Sequence, residues 1–144
     1  MIDEKRLAAE IEVFRKKELS PSWFRFLDIG TDHPCLKMAA KTNSGNWYTI
    51  HIDLKYFPES VPNVYVTSDL RDDTGESLIQ TSAQMHVLSS NREGWTRICY
   101  YSYSAWTPNV SLYKIYVKIC LWLNVYEFSK QNGKPIDTYL PHQK

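Results

Sequence analysis

Few residues in this chain are equipped for covalent chemistry. Of its three cysteines, Cys35, Cys99 and Cys120, only Cys99 has a distinctive setting. It follows Ile98 and stands seven residues before the run Trp106-Thr107-Pro108-Asn109-Val110-Ser111-Leu112. A thiolate is a good nucleophile and a thioester is a reactive acyl carrier, so one cysteine can accept a carboxyl group and pass it to an amine. A cysteine at a strand end is by default a small packing residue. Cys120, beside Ile119 and Trp122, reads as core, and Cys35, opening a strand, reads as packing. His86, thirteen positions upstream of Cys99, is placed to support a loop or to play a minor acid–base role. A hydrolase with Cys99 as nucleophile and His86 as base lacks a third, orienting group at any recognisable position. His33, His51 and His142 show no ligand spacing with one another or with a cysteine, so no metal site is expected.

The elements that must position Cys99 can be read from periodicity. Residues 2 to 19 read as an amphipathic helix with Leu7, Ile11 and Phe14 on one stripe, Asp3 as its cap and Ser20-Pro21 as its stop. Residues 23–29, 35–41, 47–54 and 63–67 are short, rich in aromatic or β-branched residues, and bounded by turn residues. In the third of these, Tyr48, Ile50, Ile52 and Leu54 alternate with Thr49, His51 and Asp53, as in a half-buried strand. Asn43-Ser44-Gly45 reads as a hairpin loop. A four-stranded antiparallel meander laid against the first helix is therefore expected. Polar loops follow at Asp69–Glu76 and Ser89–Gly94 and lead into Ile98-Cys99-Tyr100. A second helix is expected from about Val110 to Asn132, with Leu112, Ile115, Tyr116, Ile119, Trp122, Leu123 and Tyr126 on its inner face and Gly133 ending it. Nothing predicts structure in the tail. Helices segregated from one antiparallel sheet make an α+β fold.

Composition narrows the setting. The chain has 144 residues, enough for a single domain over residues 1–144 with one sizeable core. Its 43% hydrophobic and 23% charged residues exclude wholesale disorder. A net charge of +1 argues against nucleic-acid binding by phosphate neutralisation. No apolar run approaches the roughly 20 residues that span a bilayer, and the charged N-terminus carries no signal-peptide segment. Three cysteines cannot all pair with one another, so reduced thiols in a cytoplasmic protein, with no membrane partner, are expected.

This order of elements resembles the catalytic core of the ubiquitin-conjugating enzymes, over residues from about 3 to 133. The residues that carry the resemblance are Ile98-Cys99, the Trp106-Thr107-Pro108 turn, and the apolar helix ending Ile119-Cys120-Leu121-Trp122-Leu123. A second match runs through Tyr48-Thr49-Ile50-His51-Ile52, Tyr56-Phe57-Pro58 and Val61-Pro62-Asn63-Val64. It is similar to the family's third strand and its proline-rich segment. The chain departs from the family in three ways. The family's His-Pro-Asn tripeptide has as its nearest counterpart His86-Val87-Leu88, so the asparagine is missing. A polar insert occupies residues 68–83. The family's two C-terminal helices are truncated. These features resemble the stand-alone conjugating proteins of short type II bacterial anti-phage (CBASS) operons, encoded beside cyclic-oligonucleotide synthases.

The resemblance implies a thioester-forming transferase that needs no cofactor. Cys99 would hold the C-terminal glycine of a partner cyclic-oligonucleotide synthase (cGAS/DncV-like). It would pass that acyl group to a target protein's lysine or other nucleophile and so regulate the synthase. In the family the asparagine assists the oxyanion; here Asn91, or backbone amides of residues 87–94, stand as replacements. The family's basic first helix meets the activating enzyme. That makes Arg6, Arg15, Lys16 and Lys17 candidate partner contacts, although a solvated face would have the same composition. Trp106 joins that set, though with Pro108 it also reads as a helix-entry and packing residue. The alternative is a catalytically inactive protein-binding module of the same fold, like the RWD-type relatives.

Overall fold

The computed structural model describes residues 2–79 and 82–140. Helix α1 spans Glu4–Lys16, and the Asp3 side chain caps it by accepting from the Arg6 amide at 3.3 Å. It ends before the expected Ser20-Pro21 stop. Glu18 enters the left-handed region at φ 58°, and the Leu19 amide returns to the Phe14 carbonyl at 3.0 Å. That bond satisfies an otherwise orphaned carbonyl and closes the helix. The expected stripe is also altered. Phe14 is fully buried and Leu7 partly, but Ile11 is 41% exposed, while Glu10 is buried at 4%. Glu10 faces inward because its carboxylate accepts from the Leu112 amide at 2.6 Å, across the helix pair.

The sheet has six strands where four were expected. They are β1 (Phe24–Leu27), β2 (Cys35–Lys41), β3 (Trp47–Asp53), β4 (Val64–Val66), β5 (Val87–Leu88) and β6 (Thr96–Ile98). All pairs are antiparallel, in the order β1-β2-β3-β4-β6-β5. The first four are the expected meander with slightly shorter ends. The other two extend it through the region read as loop, where runs of two and three residues are too short to display alternation.

Helix α2 spans Leu112–Asn132. Ser111 caps it through the Lys114 amide at 3.0 Å, and Gly133 closes it at φ 69°. All seven residues assigned to its inner face are buried. They pack with Phe14 against Leu36, Met38, Ala40, Ile50, Ile52, Val64 and Val66, which form the inner face of the sheet. Each such side chain removed from water stabilises the fold by about 1.5–3 kcal/mol.

The polar insert is irregular, as expected, but anchored, whereas the expectation of an unstructured tail is corrected. Within the polar insert, Leu70 and Leu78 are buried, and the Tyr126 hydroxyl grips Arg71, accepting from its amide at 2.9 Å and donating to its carbonyl at 2.7 Å. In the tail, Ile136–Thr138 form a 3₁₀ turn whose Ile136 is fully buried. That turn reaches the neighbourhood of Cys99.

Candidate functional site around Cys99

Cys99 leaves the end of β6 and is partly exposed. Its amide donates to the His86 carbonyl at 2.8 Å, and the buried Trp122 indole N–H donates to the same carbonyl at 3.2 Å. One carbonyl thus fixes the cysteine backbone to α2. His86 takes a left-handed conformation at φ 52° to present it. For a residue with a Cβ that conformation costs on the order of 1–2 kcal/mol, which the two bonds offset.

The thiol borders a cavity of about 310 Å³ whose lining includes His86, Tyr101, Tyr103, Lys118 and Leu121. A smaller cleft on its other side is bordered by Pro62 and Asn63. Burial pushes the Cys99 thiol above its ordinary pKa, and the nearby Arg97 opposes this only in part. The resting group is therefore a thiol, and attack requires its proton to leave.

Segments that were recognised separately in the sequence meet here. The Tyr100 hydroxyl donates to the Pro62 carbonyl at 2.7 Å, and the Trp106 indole N–H donates to the Pro58 carbonyl at 2.9 Å. Trp106 also packs edge-on against Phe57 and Tyr101, at ring separations of 6.3 and 5.5 Å. The proline-rich segment and the Trp-Thr-Pro turn are thus tied to each other and, through Tyr100, to the residue that follows Cys99.

His86 itself is buried at 4%, and its Nε2 lies 3.1 Å from the Asp137 carboxylate. The Asp137 amide donates to the Gln84 carbonyl at 2.7 Å, tying the tail to the His86 loop. The orienting group that seemed to be missing is therefore present. Its signal was weak: a lone aspartate in a tail without periodicity.

Asn91 is placed away from the sulfur. Its Oδ1 accepts from the Tyr65 hydroxyl at 3.2 Å, and it lines neither the cavity nor the cleft at Cys99. The cause is Trp95, which packs on His51 at 4.9 Å and draws the Ser89–Gly94 loop onto the outer face of the sheet.

The basic residues of α1 divide. Arg6 is 22% exposed and internally bonded. Its guanidinium donates to the Pro108 and Val110 carbonyls, lies 4.9 Å from the Phe57 ring centre, and pairs with Glu10 at 3.8 Å. It brackets the entry to α2 and does not form an open contact. Arg15 is exposed and paired with Glu12. Lys16 is exposed, and the exposed Lys17 ammonium lies 5.6 Å from the Tyr113 ring centre. Cys35 is buried and Cys120 partly so. His142 lies outside the described residues.

Among the described residues, no three His, Cys, Asp or Glu side chains gather as a metal site, and no helix is long and apolar enough to cross a membrane. Compared with protein-family models, curated proteins and solved structures, the chain matches none.

Proposed function

We propose that the chain is a ubiquitin-conjugating-like acyl carrier. Cys99 accepts the C-terminal carboxyl of a partner protein as a thioester and hands it to an amine. The observation that carries this reading is the position of Cys99: partly exposed, clamped through its backbone, and opening onto a 310 Å³ cavity. In the first step the sulfur attacks an activated carbonyl, the S–C bond forms, and the activating group leaves. In the second an amine attacks the thioester, the C–S bond breaks, and the thiol regains a proton. The His86–Asp137 pair beside the cavity is suited to carry that proton. The sequence shows no phosphate-cradling nucleotide loop, so on this reading activation occurs elsewhere or is bypassed.

The resemblance to the short CBASS conjugating proteins suggests the partner: a cyclic-oligonucleotide synthase whose C-terminal glycine is held on Cys99 and whose activity the conjugation regulates. The test is co-expression of the Cys99→Ser variant with a cyclic-oligonucleotide synthase that ends in glycine, followed by intact-mass measurement. Serine in place of cysteine converts a labile thioester into a durable ester, so a stable adduct at position 99 is expected. Its absence there, and from the wild-type chain under thiol-free conditions, would defeat the proposal.

A second reading, a binding module without catalysis, is favoured by the distance of Asn91 from the sulfur and by the raised thiol. Maleimide labelling of the native protein separates the two. A working site labels at Cys99 ahead of Cys35 and Cys120, whereas a module leaves all three slow.

A further inference from the structure

The face of the sheet turned away from the helices carries a second candidate site. Its register sets Arg25 opposite Lys37, Lys37 opposite His51, His51 opposite Tyr65, and Tyr65 opposite Arg97. Directly opposed residues on antiparallel strands share a face, and like charges placed so are destabilising. Arg25 and Lys37 form such a pair, both exposed, in a chain whose net charge is only +1. Beside that row the small side chains Ala39, Thr49 and Thr67 leave a groove of about 550 Å³, with Trp23 and Trp95 also in its lining. No aspartate or glutamate is among the described residues that line it. Its size falls within the range of roughly 300–1,000 Å³ typical of small-molecule sites.

His51 is a buried member of the row. It lines the groove and is only 7% exposed, yet its Nδ1 is buried without a hydrogen-bond partner among the described residues. A buried polar atom left unsatisfied is costly, and native structures rarely leave one without a reason. Trp95 is held 4.9 Å from the His51 ring, and Arg92 stands 5.4 Å from the centre of the Trp95 ring. Cations, indoles and hydroxyls thus line one groove, and Asp53 is the acid near enough to act on His51.

We infer that this groove binds an anionic small molecule with a planar ring, of the mononucleotide class. Arg25 and Lys37 hold its phosphate, Trp23 and Trp95 take the ring by stacking, and Thr49 and Thr67, whose hydroxyls bond each other, meet its polar edge. Stacking on indoles tolerates any base, whereas the paired cations demand the charge. The site uses no residue of the Cys99 cavity, so it stands or falls independently of acyl transfer.

The test titrates the full-length chain with AMP, following tryptophan quenching and heat of binding. Adenosine alone and inorganic phosphate alone separate ring from charge. Saturable binding of AMP is expected, with adenosine and phosphate each weaker by at least about tenfold, the scale of one charge-assisted contact. Arg25→Ala and Lys37→Ala change exposed side chains; each should weaken AMP by about tenfold with an unchanged circular dichroism spectrum. Three results overturn the proposal: no saturable binding of AMP or GMP in the millimolar range, adenosine binding as tightly as AMP, or undiminished binding to both variants.

Discussion

At the scale of single residues, two buried groups show how environment sets behaviour. Glu10 sits between α1 and α2, where burial raises its pKa against the opposing pull of the Leu112 amide and Arg6. A folded-state pKa above the ordinary value means that the contribution to stability is full in acid and is lost as pH rises through the raised value. At neutral pH the negative charge is therefore a burden, while the hydrogen bond to Leu112 is an asset. Glu10→Gln should leave the melting temperature at pH 7 equal or higher. Glu10→Ala should cost about 1–3 kcal/mol by stranding a buried amide, as read by chemical denaturation. His51 behaves with the opposite sign. Burial, then Arg92, lower its pKa below the ordinary 6.5, with Asp53 opposing and Lys37 adding to the effect. Its contribution is present above pH 6.5 and is lost as pH falls through the lowered value. Thermal scans from pH 7 to pH 5 should show a loss of stability in the wild type that is smaller in His51→Phe, a variant that also keeps a ring against Trp95. Parallel curves for the two would exclude this role.

At the scale of elements, α2 was the most legible and the tail the least. Seven apolar positions with a 3.6-residue period, ended by Gly133, left little freedom, and all seven are buried. The long strands were legible for the same reason, because β2 and β3 each have seven residues in which to alternate. Strands β5 and β6 were not. Glu10 and Ile11 defeated the helical stripe because a buried carboxylate bonded to a distant amide leaves no trace in a hydrophobic pattern. Around Cys99, the cysteine, Trp106 and the proline segment were legible as motifs. Asp137 was invisible because only tertiary folding of the tail brings it to His86. Another contact of this kind ties α2 to the β2–β3 hairpin. Glu127 accepts from the Tyr48 hydroxyl at 2.7 Å and from Asn46 at 2.8 Å. Burial pushes that carboxyl up, but the bonds from Tyr48 and Asn46 outweigh it and leave it below its ordinary 4.5. Its stabilisation is present above pH 4.5 and fades as pH falls through the lowered value. Glu127→Gln should therefore lower stability at pH 7 and narrow the gap to wild type in acid, as measured by urea denaturation at both ends.

At the scale of the whole molecule, the two faces of one sheet present different side chains. The inner face, with α1 and α2, builds the core and fixes the His86 carbonyl that clamps Cys99. The outer face carries the basic, indole-lined groove. The Ser89–Gly94 loop belongs to the outer face, and this is why Asn91 does not reach the sulfur. If the proposed acyl transfer holds, it draws on the cavity's own groups. On the proposed reading, Asp137→Asn should slow transfer from Cys99 to an amine about tenfold, less than the roughly 10²–10⁴-fold of a positioned acid–base group because Asp137 acts through His86, with Asp137→Glu partly restoring it and the acid limb of the pH–rate profile moving. The central claim, a thioester on Cys99, is tested most directly by incubating the purified chain with a short peptide thioester ending in glycine and recording its intact mass. Acyl transfer at Cys99 predicts a peptide-sized gain that maps to Cys99, disappears with dithiothreitol, and is absent in Cys99→Ala. A chain that gains no such mass, or gains it equally in Cys99→Ala, contradicts the claim.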